Sequence, residues 1–367
     1  MSNTILLKFI SVLRNNIYLT IFFLLVFTVS IFTAHYVSIP KYPEAASCQD
    51  FGLYIGQDLD EQTLSKLPEI YGAKPALLLT FIAWSDMPFS HNLKELKRMV
   101  SHGYSPVITL EPWYYPSKKQ ILLSNIIDGK EDHVIAKFAE SIKELQAFSR
   151  STSNVDIYIR FAHEMNGNWY PWSGFKNEKD TELYKKAYIR VHDLILQKSG
   201  LAINQKSSSK KHSTLKFIWS VNADDIPSSS WNKGINYYPG SEYVDVIGLD
   251  GYNWGTSRFW PLSWRSFKHI FKKPIRELIK LNKPIYITET ASAGSKSWLS
   301  KKDKARWING LFETLEGDYA FIPTFIWFDI DKEKDWRIMS DEPSDKSFRS
   351  GLGKLKRCSK KALDENK

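Results

Sequence analysis

Eight short apolar runs recur along the sequence with room for a helix between most neighbours: Phe51 to Gly56, Ala76 to Trp84, Pro106 to Trp113, Val155 to Glu164, Leu215 to Asn222, Val244 to Tyr252, Pro284 to Glu289 and Ile322 to Asp329. The intervening segments carry apolar residues at helical spacing, most clearly His133 to Phe148, Glu182 to Gln197, Phe267 to Leu281 and Lys302 to Leu315. Strands apolar on both faces belong to a parallel sheet covered by helices on each side. The repeated βα pattern therefore predicts an α/β fold, a closed (β/α)8 TIM barrel over residues 48–358. A doubly wound open sheet is the alternative, but it would show a glycine fingerprint after its first strand, and none follows Phe51 to Gly56.

In a barrel, the C-terminal ends of the strands converge on one cleft. The residues there are Trp84 and Asp86, Glu111 and Trp113, His163 and Glu164, Asn222 and Asp224, Asp250 and Tyr252, Glu289, and Trp327 and Asp329. Packing alone would favour bulky apolar side chains at those ends. The fourth run stops at Glu164 and is followed within eight residues by Trp169, Tyr170 and Trp172; the seventh stops at Glu289. The alternative for Glu164 taken by itself is a cap on the turn after the strand, and the second carboxylate decides against it. Two glutamates at two strand ends are what glycoside hydrolysis needs, one to protonate the leaving oxygen and one to capture or stabilise the sugar's developing positive charge. An ordinary glutamate, with a pKa near ~4.3, must be raised by burial or a neighbouring charge to serve as that acid.

Composition narrows the partners. The chain has 13 Trp and is 14% aromatic, an excess suited to stacking on the apolar faces of sugars. Its formal charge is +10, yet the densest cations lie in the Ser-rich segments Lys206 to Lys216 and Lys354 to Lys367, which read as a solvated loop and a basic tail over 359–367. No helix-turn-helix, RNA-binding aromatic motif or phosphate loop is present, so nucleic acid is not an expected partner. With two cysteines and no His pair at metal spacing, no metal or other cofactor is expected.

Ile17 to Val37 is almost unbroken apolar sequence, preceded by Lys8 and Arg14, with no acidic residue before Glu44. At 1.5 Å per residue such a run spans a hydrocarbon core of ~30 Å. It predicts a cytoplasmic N-terminus (1–16), a single transmembrane helix (17–37) in the lipid bilayer, a linker (38–47) and a periplasmic or extracellular domain. A cleaved signal peptide is the rival, but the run is longer than a usual h-region and no clean cleavage site follows. A barrel brings its first and last units together, and an exported chain meets an oxidising compartment, so Cys48 and Cys358 are expected to form a disulfide.

Four separated motifs resemble glycoside hydrolase family 26 in that family's order: His163-Glu164-Met165-Asn166-Gly167 with Trp169; Asp250-Gly251-Tyr252-Asn253-Trp254; Ile287-Thr288-Glu289-Thr290; and Trp327-Phe328-Asp329 followed by Asp335-Trp336-Arg337-Ile338. The resemblance runs from Phe51 to about Leu355 and implies a retaining barrel enzyme. It assigns the acid/base to Glu164 on strand four and the nucleophile to Glu289 on strand seven. His163 is the residue expected before the acid/base, Trp169 and Trp327 would form a sugar platform, and Asp250 and Tyr252 would bind and orient, with Tyr252 donating to Glu289. Glu111 and Trp113 stand where mannanases of the family carry a His-containing motif, and Tyr170-Pro171-Trp172 replaces their usual aromatic run. The implied substrate is a β-linked polysaccharide (mannan, glucan or exopolysaccharide), cleaved internally. The competing expectation is a membrane-anchored, catalytically inactive glycan-binding protein of a polysaccharide synthesis or export system.

Overall fold

Each of the apolar runs forms a strand. In a computed structural model, which describes residues 42–114, 119–120, 123–200, 215–255, 264–294 and 303–358, these are β1 (Asp50–Tyr54), β2 (Leu77–Ala83), β3 (Ser105–Glu111), β4 (Ile157–Phe161), β5 (Leu215–Asn222), β6 (Val246–Asn253), β7 (Ile285–Ser292) and β8 (Thr324–Phe328). They close into one barrel in the order β1-β8-β7-β6-β5-β4-β3-β2, every pair parallel. The expected TIM barrel is what the chain forms.

The helices are α1 (Glu61–Tyr71), α2 (Ser90–Ser101), α3 (Asp132–Ser151), α4 (Thr181–Ser199), α5 (Phe267–Leu278), α6 (Asp303–Glu316) and α7 (Glu342–Lys354), with a short helix at Leu123–Ile127. Their starts are written in the sequence: the side chains of Asp60, Asp180, Ser266 and Asp341 accept from the N–H groups of Thr63, Glu182, His269 and Ser344, satisfying donors that a helix N-terminus leaves open. The β5–β6 connection, with Pro227, Gly234, Pro239 and Gly240, forms two 3-10 turns, Ser230–Asn232 and Gly234–Tyr237, instead of an α-helix.

Strand alternation sorts side chains between two layers. Phe325 and Trp327 of β8 point outward to meet Phe312 of α6 and Phe348 of α7. Phe328 points inward against Tyr54, Phe81 and Tyr252. Burying one such side chain contributes about 1.5–3 kcal/mol.

Cys48 and Cys358 are bonded, with Cα atoms 4.9 Å apart and 310 residues between them in sequence. Gln49 bridges to Arg357 beside the bond, so the two ends of the domain are tied side by side as expected. The predicted cytoplasmic segment, the transmembrane run 17–37, part of the linker, most of the Ser/Lys segment and the basic tail lie outside the described residues. Among the described residues no helix is long and apolar enough to cross a membrane.

Candidate active site

Glu164 reaches the cleft through a distorted strand end. β4 stops at Phe161, and Ala162 and Glu164 then take left-handed backbone conformations (φ 46° and 54°), which non-glycine residues hold only where the surroundings enforce them. The enforcing contacts are the Glu164 N–H donating to Ser220 O at 3.0 Å and the Gly167 N–H donating to Glu164 O at 2.9 Å. A Cβ on Gly167 would lie 2.5 Å from the Trp169 ring, so this glycine allows the indole to fold back. Trp169 Nε1 then donates to Glu164 Oε2 at 2.8 Å, and Asn222 Nδ2 donates to Oε1 at 2.6 Å.

Glu289 is aimed by a register shift in β7 between the partners of Leu249 and Asp250, a bulge that lets Thr288 and Glu289 both face inward. Tyr252 donates its hydroxyl to Glu289 Oε2 at 2.5 Å, as the sequence led one to expect. Arg160 Nη2 donates to Oε1. Arg160 is completely buried and also gives Nη1 to Asp250 Oδ1 at 2.9 Å and Nε to Thr109 Oγ1 at 2.9 Å. Asp250 in turn accepts from Thr288 Oγ1 at 2.7 Å and Ser220 Oγ at 2.9 Å. A Cβ on Gly248 would fall 2.6 Å from both hydroxyl oxygens, so only glycine leaves space for this cluster.

The environment of Glu164 favours its neutral form. Glu164 is 7% exposed; burial first, then the negative charges of Asp250 and Glu289, raise its carboxyl to about 8. It therefore holds a proton at neutral pH. Glu289 accepts charge-assisted hydrogen bonding from a guanidinium, which suits a carboxylate. His163 is buried, and burial together with the Arg160 charge holds its pKa well below the usual value, leaving a neutral imidazole. Its Nε2 lies 3.0 Å from Tyr170 Oη and 3.9 Å from Glu289 Oε1.

The structure brings Glu164, Glu289, His163, Trp169, Tyr252, Trp113 and Glu111 to the same end of the barrel and corrects two assignments. Trp327 cannot serve as a sugar platform: it is completely buried between β8 and the helices, with its Nε1 donating to Trp336 O at 2.9 Å. The alternation of β8 gives the inner face to Phe328 instead. Asp250 is likewise sealed from solvent, and its oxygens are engaged by Arg160, Thr288 and Ser220, so it orients without binding. Trp169 remains 42% exposed and Trp254 43%. Trp254 meets Trp336 edge-on at 5.0 Å, and Trp336 packs on Tyr252 at 5.1 Å.

Arg160 was not among the residues singled out from sequence. The available signal was a lone cation inside an otherwise apolar strand, since a buried charge requires a buried partner. Among the described residues no group of three or more His, Cys, Asp or Glu is arranged to hold a metal ion.

The family model described as glycosyl hydrolase family 26 matches residues 118–321. Endoglucanase H of Acetivibrio thermocellus is 31% identical over 304 residues, 82% of this chain and 30% of that protein. A mannan endo-1,4-beta-mannosidase of Bacillus subtilis is 27% identical over 204 residues, 53% of this chain and 44% of that protein. The chain thus spans less than half the length of either relative. Among solved structures, a Cellulomonas fimi endo-beta-1,4-mannanase double mutant superposes with a TM-score of 0.61 at 14% identity, covering 84% of this chain and 71% of that one. The catalytic domain of a Bacillus sp. JAMB-750 endo-beta-1,4-mannanase gives 0.61 at 14% identity, covering 84% and 86%. These two likenesses speak for the barrel.

Proposed function

We propose that this chain, which belongs to glycosyl hydrolase family 26, is a retaining, endo-acting glycoside hydrolase whose substrate is a β-linked polysaccharide, a β-glucan before a β-mannan. The observation that carries the reading is the contrast between two glutamates in one cleft: Glu164 raised to about 8 by burial, and Glu289 held by Arg160 and Tyr252. The preference for glucan rests on the longer and higher match to a protein named endoglucanase.

In the first half-reaction a carboxylate oxygen of Glu289 attacks the anomeric carbon. The glycosidic C–O bond breaks, and the Glu164 proton passes to the departing oxygen, leaving a glycosyl ester on Glu289. In the second, Glu164, now ionised, takes a proton from water, whose oxygen attacks the same carbon and releases Glu289. Arg160 and Tyr252 keep the nucleophile aimed while its charge is spent and regained, and Asp250 fixes Arg160. Trp169 couples ring stacking to catalysis, because the indole that offers its face to a sugar also donates to Glu164.

The same proposal places the barrel outside the cytoplasm, tethered by residues 17–37. The apolar run supports it, and so does the Cys48–Cys358 bond, which fits an oxidising compartment.

The test is release of reducing sugars from a panel of β-glucans and β-mannans by the full-length protein in detergent, beside Glu289→Ala. Release by the wild type and none by the variant is expected. Binding without release from any glycan would instead favour the inactive glycan-binding protein.

A further inference from the structure

Lys304 is the second residue of α6, the helix that follows the strand carrying Glu289, and it is only 2% exposed. Its Nζ donates to Asp335 O at 2.9 Å, Arg337 O at 2.8 Å and Ser340 Oγ at 2.9 Å, two main-chain carbonyls and a hydroxyl, none of them a carboxylate. A cation buried against uncharged oxygens is costly, and the first turn of a helix is the end that disfavours positive charge. An ammonium has three N–H groups, and all three are engaged here. Lys304 therefore has no donor to offer a substrate and acts only through the segment it grips.

That segment is the connection between β8 and α7, and the two gripped carbonyls belong to the residues on either side of Trp336. The Trp336 N–H donates to Ile330 O at 3.0 Å, and its own carbonyl accepts from Trp327 Nε1 at 2.9 Å. The Arg337 N–H donates to Asp335 Oδ1 at 3.2 Å. Every main-chain polar group from Asp335 O to Arg337 O is thus tied down. The Trp336 ring packs on Tyr252 at 5.1 Å, and Tyr252 gives its hydroxyl to Glu289 Oε2. Two other rings meet Tyr252, Phe328 at 5.9 Å and Trp254 at 6.2 Å. Phe328 is set by β8 and Trp254 directly follows β6, whereas Trp336 rides on a connection and depends on the bonds that hold that connection.

We propose that Lys304 is a positioning residue for glycoside hydrolysis: its ammonium pins the backbone on both sides of Trp336, and Trp336 in turn holds Tyr252 where its hydroxyl meets Glu289. The proposal rests on the hydrolase reading above.

The experiment is a double-mutant cycle in the full-length protein in detergent, on whichever β-glucan or β-mannan the wild type cleaves fastest. Lys304→Met keeps the length of the side chain and removes its donors. It should lower kcat/KM about tenfold or more in the wild-type background. In a Tyr252→Phe background, where the hydroxyl it positions is already gone, the same substitution should change kcat/KM less than about twofold, because groups that act through one another are not additive. A merely structural role would lower the urea midpoint and cost the same factor in both backgrounds, and that result, or no loss in either, would overturn the proposal while leaving the hydrolase reading intact. Should Lys304→Met fail to fold, Ser340→Ala, which removes one of the three acceptors, carries the test: a loss of about threefold that vanishes with Tyr252→Phe is expected, and an unchanged kcat/KM or an equal loss in both backgrounds would overturn the proposal. A wild type that cleaves none of the glycans would overturn the hydrolase reading and this proposal with it.

Discussion

Replacing Glu164 by glutamine keeps the shape of the side chain and removes its titratable proton, and the structure predicts a change of stability that reverses sign with pH. Burial and the charges of Asp250 and Glu289 raise Glu164 from the ordinary 4.5 to about 8. At about 1.36 kcal/mol per pH unit, ionising this group in the folded protein costs about 5 kcal/mol more than in the unfolded chain. Because the folded value is the higher one, the carboxyl's contribution is fully present below about 4.5 and is lost as pH rises through about 8. Glutamine never pays that penalty, but it has one oxygen for the two donors, Asn222 Nδ2 and Trp169 Nε1, that now share the carboxyl. Leaving one of them unsatisfied costs about 1–3 kcal/mol. Glu164→Gln should therefore be less stable than the wild type at pH 5, by about 1–3 kcal/mol, and more stable at pH 9, by about 2–4 kcal/mol. Urea unfolding followed by tryptophan fluorescence, with the disulfide intact, measures both differences. Destabilisation of equal size at the two pH values would mean that Glu164 ionises as an ordinary surface glutamate, and the acid assigned here would be wrong.

Two further perturbations address the domain's ends. The Cys48–Cys358 bond closes a loop spanning 310 residues, and on the chain-entropy account a loop of that size stabilises by about 5 kcal/mol. Reduction, or Cys358→Ser, should lower the urea midpoint strongly at neutral pH without moving kcat, since the bond lies away from the strand ends that carry Glu164 and Glu289; an unchanged midpoint would refute the entropic role. Deleting residues 1–40 should move the protein from the membrane fraction to the soluble fraction with kcat/KM unchanged on a soluble glycan, and continued sedimentation with membranes would refute the anchor.

The barrel was legible because its strands are apolar on both faces and its helices keep a 3.6-residue period, two signals that survive without any tertiary information. Glu164 and Glu289 were legible for the same reason, each being a charge that abruptly ends an apolar run. Arg160 escaped because its meaning lies in Asp250 and Glu289, 90 and 129 residues further along the chain, and no local pattern joins them. Trp327 misled because a tryptophan at a strand end looks like a platform, whereas which of Trp327 and Phe328 faces inward depends on the pleat of β8 and on Phe348 of α7 filling the outer side. The bulge that turns Glu289 inward is equally silent in sequence, since nothing in Ile287-Thr288-Glu289 marks the register shift beside Asp250.

The central claim is that Glu289 forms a covalent bond to the sugar. A 2-deoxy-2-fluoro β-glycoside with an activated leaving group slows the second half-reaction more than the first, so the ester should accumulate and be weighed by intact-protein mass spectrometry. The account predicts a gain of one fluorosugar on the wild-type protein, mapped to the peptide containing Glu289 and absent from Glu289→Ala. A hydrolytically active wild type that gains no mass, or that carries the sugar on Glu164 or Glu111, would contradict it.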